Sequence, residues 1–216
     1  MPLALPTGDD RGSGCSRRPG GASRASEAPP PFRRRPENPL TATHTRPPAV
    51  IRDATEDDLP AILELHNANI ATSTAIWDVE QVGLEDRLAW FGDRTGAGMP
   101  ILVAEVDGEF AGYASYGRWR PKVGYRFTVE NSVYIVDRFQ RRGLAAALLR
   151  ELIDRATASG RVHAMIAAIE SSNTASIALH ERFGFVEVGR LPEVGRKFGR
   201  WMDLTLLQLT LPAEGD

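Results

Sequence analysis

The sequence predicts a mixed sheet covered by helices on both sides, an α/β (α+β) architecture. Three observations carry this expectation. Over residues 49–216, apolar runs of strand length and stretches with helical spacing follow one another in the order β-α-α-β-β-β-α-β-α-β-β. An Asp107-Gly108 pair between two apolar runs marks a two-residue hairpin turn. Val162–Ile169 is apolar almost without a break, as expected of a strand buried on both faces.

Taken in order, Val50–Ala54 reads as a short strand. Thr55-Glu56-Asp57-Asp58 supplies an N-cap and an acidic first turn for a helix to about Ala68, with Leu59, Ile62, Leu63 and Leu65 on its apolar face. Residues 70–80 read as a polar connection, and Leu84, Leu88 and Trp90-Phe91 mark a second helix over about Val82–Arg94. The hairpin pairs Ile101–Val106 with Phe110–Trp119. A loop at Arg120–Gly124 leads to a long strand, about Tyr125–Val136, and then to an Ala/Leu-rich helix over Gly143–Ser159. After Val162–Ile169 come a helix over Asn173–Phe183, a short strand Phe185–Gly189 and a final strand Arg200–Leu211. In that last strand Leu204 and Leu206 fall on one face and Leu207, Leu209 and Leu211 on the other, which a central position or a bulge accommodates.

Composition divides the 216 residues near position 49. Residues 1–48 hold 10 of the 15 prolines and 8 of the 24 arginines, with one aromatic, Phe32. Such a segment cannot bury enough apolar area to offset its ordering entropy, so a disordered tail is expected ahead of a domain at 49–216. Its Arg-rich, acid-poor composition resembles a transit peptide, but its prolines oppose an amphipathic helix. An alternative takes it as an upstream-extended start, with Val50 as the initiation codon. Net charge is -2 overall, +4 in the tail and -6 in the remainder, which disfavours nucleic-acid phosphate as the main partner. No apolar run approaches a membrane span. The single Cys15 excludes an intrachain disulfide and cysteine-rich zinc sites, so a soluble, cytoplasmic protein is expected. The histidines, at 44, 66, 163 and 180, offer no paired metal-ligand spacing, and no metal is expected.

The most informative segment is Ser132-Val133-Tyr134-Ile135-Val136-Asp137-Arg138-Phe139-Gln140-Arg141-Arg142-Gly143-Leu144-Ala145. A strand ends, a basic loop with a glycine follows, and a helix begins at once. That brings free backbone N–H groups and the positive end of a helix dipole beside Arg141 and Arg142, a ready site for a pyrophosphate. The bland alternative is an ordinary strand-to-helix turn with two solvated arginines. There is no G-x-G-x-x-G and no Gly-Lys-Ser/Thr after the loop, which disfavours dinucleotide and P-loop folds.

Gln140-x-x-Gly143-x-Ala145 resembles the acetyl-CoA pyrophosphate loop of the GNAT acetyltransferase superfamily, with Ala145 where the last glycine is usual. Asn173-Thr-Ala-Ser176-Ile-Ala-Leu-His180-Glu-Arg-Phe-Gly184-Phe185 resembles its second cofactor segment. Thr128-Val-Glu130-Asn-Ser132-Val-Tyr134, Leu179-His180 and Lys197-Phe-Gly-Arg-Trp201 are similar to the phosphinothricin / L-methionine sulfoximine N-acetyltransferases. The resemblance spans about Val50–Leu211. It implies a mixed, mostly antiparallel twisted sheet with helices on both faces, and a homodimer. The implied activity is detoxifying transfer of acetyl from acetyl-CoA to the α-amine of a small amino-acid-like substrate. It also implies that acetyl-CoA lies along Val133, Tyr134 and Ile135, with its phosphates at Arg141, Arg142, Gly143, Leu144, Ala145 and Ala146 and its pantetheine near Asn173. Acetylation of a protein N-terminus or another amine, and a non-catalytic acyl-CoA-binding module, remain alternatives.

Amide formation from a thioester needs a neutral amine, yet an α-ammonium has a pKa of about 8. A general base and an oxyanion donor are therefore required. Glu130 matches the family's catalytic glutamate; otherwise it is a solvated strand residue. His180 matches a family histidine, as a proton relay or donor to the leaving thiolate, with a structural histidine as the alternative. The resemblance gives the oxyanion to a backbone N–H near Val133. Arg120-Pro121-Lys122-Val123 is a candidate loop for a substrate carboxylate, alongside Glu130, Asn131 and Ser132. Trp77, Trp119, Tyr125 and Phe127 are candidates for an aromatic wall, and Lys197–Trp201 for closing the pocket.

Overall fold

A computed structural model describes residues 49–212. The expected tail, including Cys15, lies outside the described residues. Seven strands form one sheet: β1 (Val50–Asp53), β2 (Ile101–Val106), β3 (Glu109–Arg118), β4 (Thr128–Ile135), β5 (Ala164–Glu170), β6 (Val186–Lys197) and β7 (Arg200–Thr210), in the order β1-β2-β3-β4-β5-β7-β6. Every neighbouring pair is antiparallel except β4 and β5. The described residues also form four α-helices, α1 (Leu59–Thr72), α2 (Leu84–Gly96), α3 (Leu144–Ala158) and α4 (Thr174–Arg182).

Period-two alternation distributes the core. Ile101, Val103 and Tyr113 pack with Leu59, Ile62 and Leu65 of α1, while Leu102, Ala104, Ala114 and Tyr116 pack with Leu148, Leu149 and Leu152 of α3. The expected mixed sheet with helices on both faces is therefore present. β4 obeys the same alternation. Tyr134 joins the α1 side and Val133 and Ile135 the α3 side. Glu130 and Ser132 share a face with Tyr134, and Asn131 shares one with Val133.

Several boundaries differ from expectation. The long strand begins at Thr128, because Val123–Tyr125 coil into a 3-10 turn. α1 runs on to Thr72. The largest difference is β6, twelve residues long where a short strand at Phe185–Gly189 was expected. Pro192, two interior glycines and the positive φ of Glu193 break its alternation, and bulges absorb the irregularity against β7. An edge strand tolerates such a proline. β7 lies between β5 and β6, so its two-sided leucines sit at an internal position, and its pairing with β6 also carries bulges. No helix among the described residues is long and apolar enough to cross a membrane.

Candidate functional site

The parallel pairing of β4 with β5 lasts for three residues, Thr128↔Ala164, Val129↔Met165 and Glu130↔Ile166. Beyond them β4 stays paired to β3 as far as Ile135, and β5 to β7 as far as Glu170, so the two strands part. The V between them opens into a cleft of about 1020 Å³. Backbone geometry determines which groups face it. Val136 donates its N–H to Ala111, and the Thr128 carbonyl accepts from Trp119, so the even-numbered residues of β4 direct their backbone toward β3. Successive residues point oppositely, which turns the N–H and C=O of Asn131, Val133 and Ile135 toward the cleft.

The cleft continues to the start of α3. Gly143, the N-cap, has φ 84°, a left-handed conformation that suits glycine, and a β-carbon there would meet nothing within 4 Å. Ala147 is the first residue of α3 to donate back, to the Gly143 carbonyl, so the preceding N–H groups of Leu144, Ala145 and Ala146 have no intrahelical partner. The first turn of α3 carries no acidic residue. Free N–H donors, a helix N-terminus and open space beside a bare backbone suit an anionic ligand group, and the open edge of β4 suits an extended amide-bearing chain.

Most of the sequence candidates meet in this cleft. Glu130, Asn131, Ser132, Val133, Tyr134 and Ile135 line it from β4; Arg141, Gly143, Leu144, Ala145 and Ala146 from the loop and α3; Asn173 and His180 from α4. Arg142 is outside the lining, with its guanidinium 5.2 Å above the Phe139 ring. Asn173 uses its Oδ1 to cap α4, accepting from the Ser176 N–H at 3.1 Å. Arg120, Pro121, Lys122 and Val123 line a second cavity of about 340 Å³, and the charge of Arg120 still acts on Glu130. Of the four aromatic candidates only Trp77 reaches the main cleft; Tyr125 and Phe127 are exposed. Lys197 is buried and donates to the carbonyls of Ser73 (2.9 Å) and Ile76, tying the segment between α1 and α2 to β6. That segment supplies Trp77, a candidate from the sequence, and Ile76, which the sequence did not single out, to the cleft wall.

Glu130 is half-buried. Burial raises its carboxyl above the ordinary range, and the positive charges of Arg120 and Arg94 hold it back. His180 lies on the opposite side of β4 from Glu130 and is 4% exposed. Its Nδ1 is 2.8 Å from the Ser176 carbonyl and its Nε2 3.1 Å from Asn131 Oδ1. Asn131 in turn donates Nδ2 to the Ile166 carbonyl at 3.1 Å, across the last pair before the strands part. These contacts call for an N–H on both ring nitrogens, whereas burial lowers the pKa of His180. The hydrogen bonds favour the imidazolium and desolvation opposes it.

Comparison with known proteins agrees with this geometry. The acetyltransferase (GNAT) family model matches residues 62–185. The chain is 54% identical over 164 residues to an L-methionine sulfoximine/L-methionine sulfone acetyltransferase of Pseudomonas aeruginosa, covering 76% of this chain and 95% of that one. It is 41% identical over 164 residues to a phosphinothricin N-acetyltransferase of Alcaligenes faecalis, covering 76% and 83%. An acetyltransferase of Salmonella typhimurium, solved with its cofactor acetyl-CoA, superposes with a TM-score of 0.75 at 45% identity, covering 78% of this chain and 96% of that one. This chain is a member of the GNAT acetyltransferase family.

Proposed function

We propose that this acetyltransferase moves acetyl from acetyl-CoA to the α-amine of a small amino-acid-like substrate of the methionine sulfoximine, methionine sulfone or phosphinothricin type. The observation that carries the reading is the cleft where β4 parts from β5, with a half-buried glutamate at its apex and free N–H groups at its far end. The names of the relatives supply the substrate class.

In this reading the open edge of β4 binds the pantetheine arm, and the N–H groups around Gly143 bind the pyrophosphate. Glu130 accepts a proton from the substrate ammonium, directly or through water, and so produces the neutral amine that attacks the thioester. A carboxyl whose pKa is raised by burial is a stronger base when ionised, and the charges of Arg120 and Arg94 favour the ionised form. The Val133 N–H, turned into the cleft, donates to the oxyanion that develops on the acetyl carbonyl. His180 acts as a positioning residue: it holds Asn131, and Asn131 holds the point of strand separation. Arg120, whose charge acts on Glu130, and Lys122 are the candidates for binding a substrate carboxylate.

We also propose a homodimer, with a second copy covering the outer edge of β6, where Val186, Val188, Leu191 and Val194 are exposed. Light scattering at micromolar concentration should give twice the chain mass, and a monomer would remove this assignment.

The test is thiol release from acetyl-CoA across a panel of amino acids, their sulfoximine, sulfone and phosphinate analogues, and short peptides. Release with the free amino-acid analogues supports the proposal. Preference for peptides would move the activity to protein N-termini, and acetyl-CoA binding without amine-dependent release would reduce the chain to a binding module.

A further inference from the structure

Arg94, in the last turn of α2, carries a charge that no hydrogen bond or ion pair described above explains. Its side chain is half-buried, and its Nε is buried without a hydrogen-bond partner among the described residues. Burial lowers its pKa, so the structure bears a desolvation cost to keep this cation where it is. The guanidinium lies directly over Gly117 of β3, and a β-carbon built at Gly117 would overlap it. Gly117 sits opposite Glu130 in the β3–β4 register. Residues directly opposite in an antiparallel pair project from the same face, so the guanidinium occupies the space beside the Glu130 side chain.

We propose that Arg94 is a positioning residue for Glu130, a fixed positive charge seated on the bare backbone of Gly117 that keeps the neighbouring carboxyl ionised and able to accept a proton. The inference rests on the reading of Glu130 as the general base. The charged groups acting on Glu130 are Arg120 from the loop after β3 and Arg94 from α2; Tyr134 is the titratable neighbour on β4. Arg94 itself is influenced by Asp93 and Arg87. Arg120 is on an exposed loop and stacks on Trp119, with its guanidinium 4.6 Å from the ring centroid, so it is the more solvated member of the pair. Arg94 is the member held by the fold.

A buried carboxyl that loses a nearby cation ionises at higher pH. Arg94→Gln should therefore move the lower limb of the pH profile of kcat/KM upward by on the order of one pH unit. Acetyl-CoA affinity should stay unchanged, and Arg94→Lys should restore most of the original profile. Gly117→Ala provides an independent route, because its methyl group displaces the guanidinium without deleting it; the same upward shift is expected. A lower limb at the wild-type position in both folded Arg94→Gln and Gly117→Ala would overturn the proposal. So would a rise in KM for the amine with the limb unmoved, which would assign Arg94 to substrate recognition. Glu130→Gln separates the two layers. If the limb survives in that variant, Glu130 is not the base. If the limb vanishes there but does not move in Arg94→Gln, the base assignment stands and the role of Arg94 fails.

Discussion

Gly143→Ala tests the cofactor loop with a change whose two consequences can be calculated separately. The residue adopts φ 84°, where an L side chain is strained, and a β-carbon there would touch nothing within 4 Å. The strain is of order 1–2 kcal/mol. At about 2–4 °C per kcal/mol for a protein of this size, the melting temperature should fall by about 2–8 °C, with no steric contribution from the protein. The effect on ligand binding has a different origin. The methyl group would fill open space beside the free N–H groups of α3, where the pyrophosphate is proposed to lie. Losing one hydrogen bond to a charged group costs about 1.5–3 kcal/mol, which weakens binding about 10- to 150-fold. Calorimetric titration with acetyl-CoA should show that loss, while a truncated thioester ending before the pyrophosphate, S-acetylpantetheine, should react with unchanged KM. Equal acetyl-CoA affinity in a folded Gly143→Ala protein would refute the placement of the phosphates. An equal loss with the truncated thioester would show that the methyl group acts elsewhere.

Three further outcomes follow from the structure. Asn131→Ala removes the link between Ile166 and His180 and strands two buried polar groups, so denaturant unfolding should show a loss of about 2–4 kcal/mol; if His180 acts through Asn131, His180→Gln should keep most of the turnover, and a hundredfold loss in a stably folded His180→Gln protein would restore His180 to the chemistry. His66 is buried with Nε2 unpartnered among the described residues, and burial, aided by Arg87, lowers its pKa below 6.5; the unfolded chain then binds the proton more readily, so stability should fall as pH drops below about 6.5, by up to about 1.4 kcal/mol per unit for this residue, and His66→Gln should flatten that slope, an unchanged slope counting against it. Deleting residues 1–48 should leave melting temperature and turnover unchanged, since β1 is already paired from Val50, opposite Glu105; a substantial loss of either would show that the segment contributes to the domain.

The sequence was informative where chemistry and local structure coincide. The β4–loop–α3 segment was legible because a strand, a glycine with positive φ and a helix start lie within fourteen residues, and each has its own local signal. Glu130 was singled out by its match to the family's catalytic glutamate, since a lone strand glutamate reads as a solvated residue. Other features arise only when distant segments meet. The parting of β4 from β5 depends on pairing that ends at Glu130↔Ile166, across 36 residues, and no run of letters marks it. Arg94 reads as a routine basic residue near a helix C-terminus until β3 places Gly117 beneath it. The Arg120–Val123 loop has a suitable composition for a carboxylate, yet nothing in its letters shows that it lines a second cavity while the charge of Arg120 acts on Glu130. β6 escaped because Pro192 and its glycines look like a turn, and only an edge position makes them compatible with a strand.

In the proposed mechanism Glu130 removes a proton from the amine that attacks the thioester. Steady-state turnover of Glu130→Gln, measured across pH at saturating acetyl-CoA with a responsive amino-acid analogue, tests it most directly. Glutamine keeps the size of the side chain and removes the base, and base assistance is typically worth roughly 10²–10⁴-fold. Turnover should fall by that order near neutral pH with acetyl-CoA affinity unchanged, and should partly recover as rising pH supplies free amine. Turnover preserved in Glu130→Gln, with only the Michaelis constant for the amine raised, would contradict it.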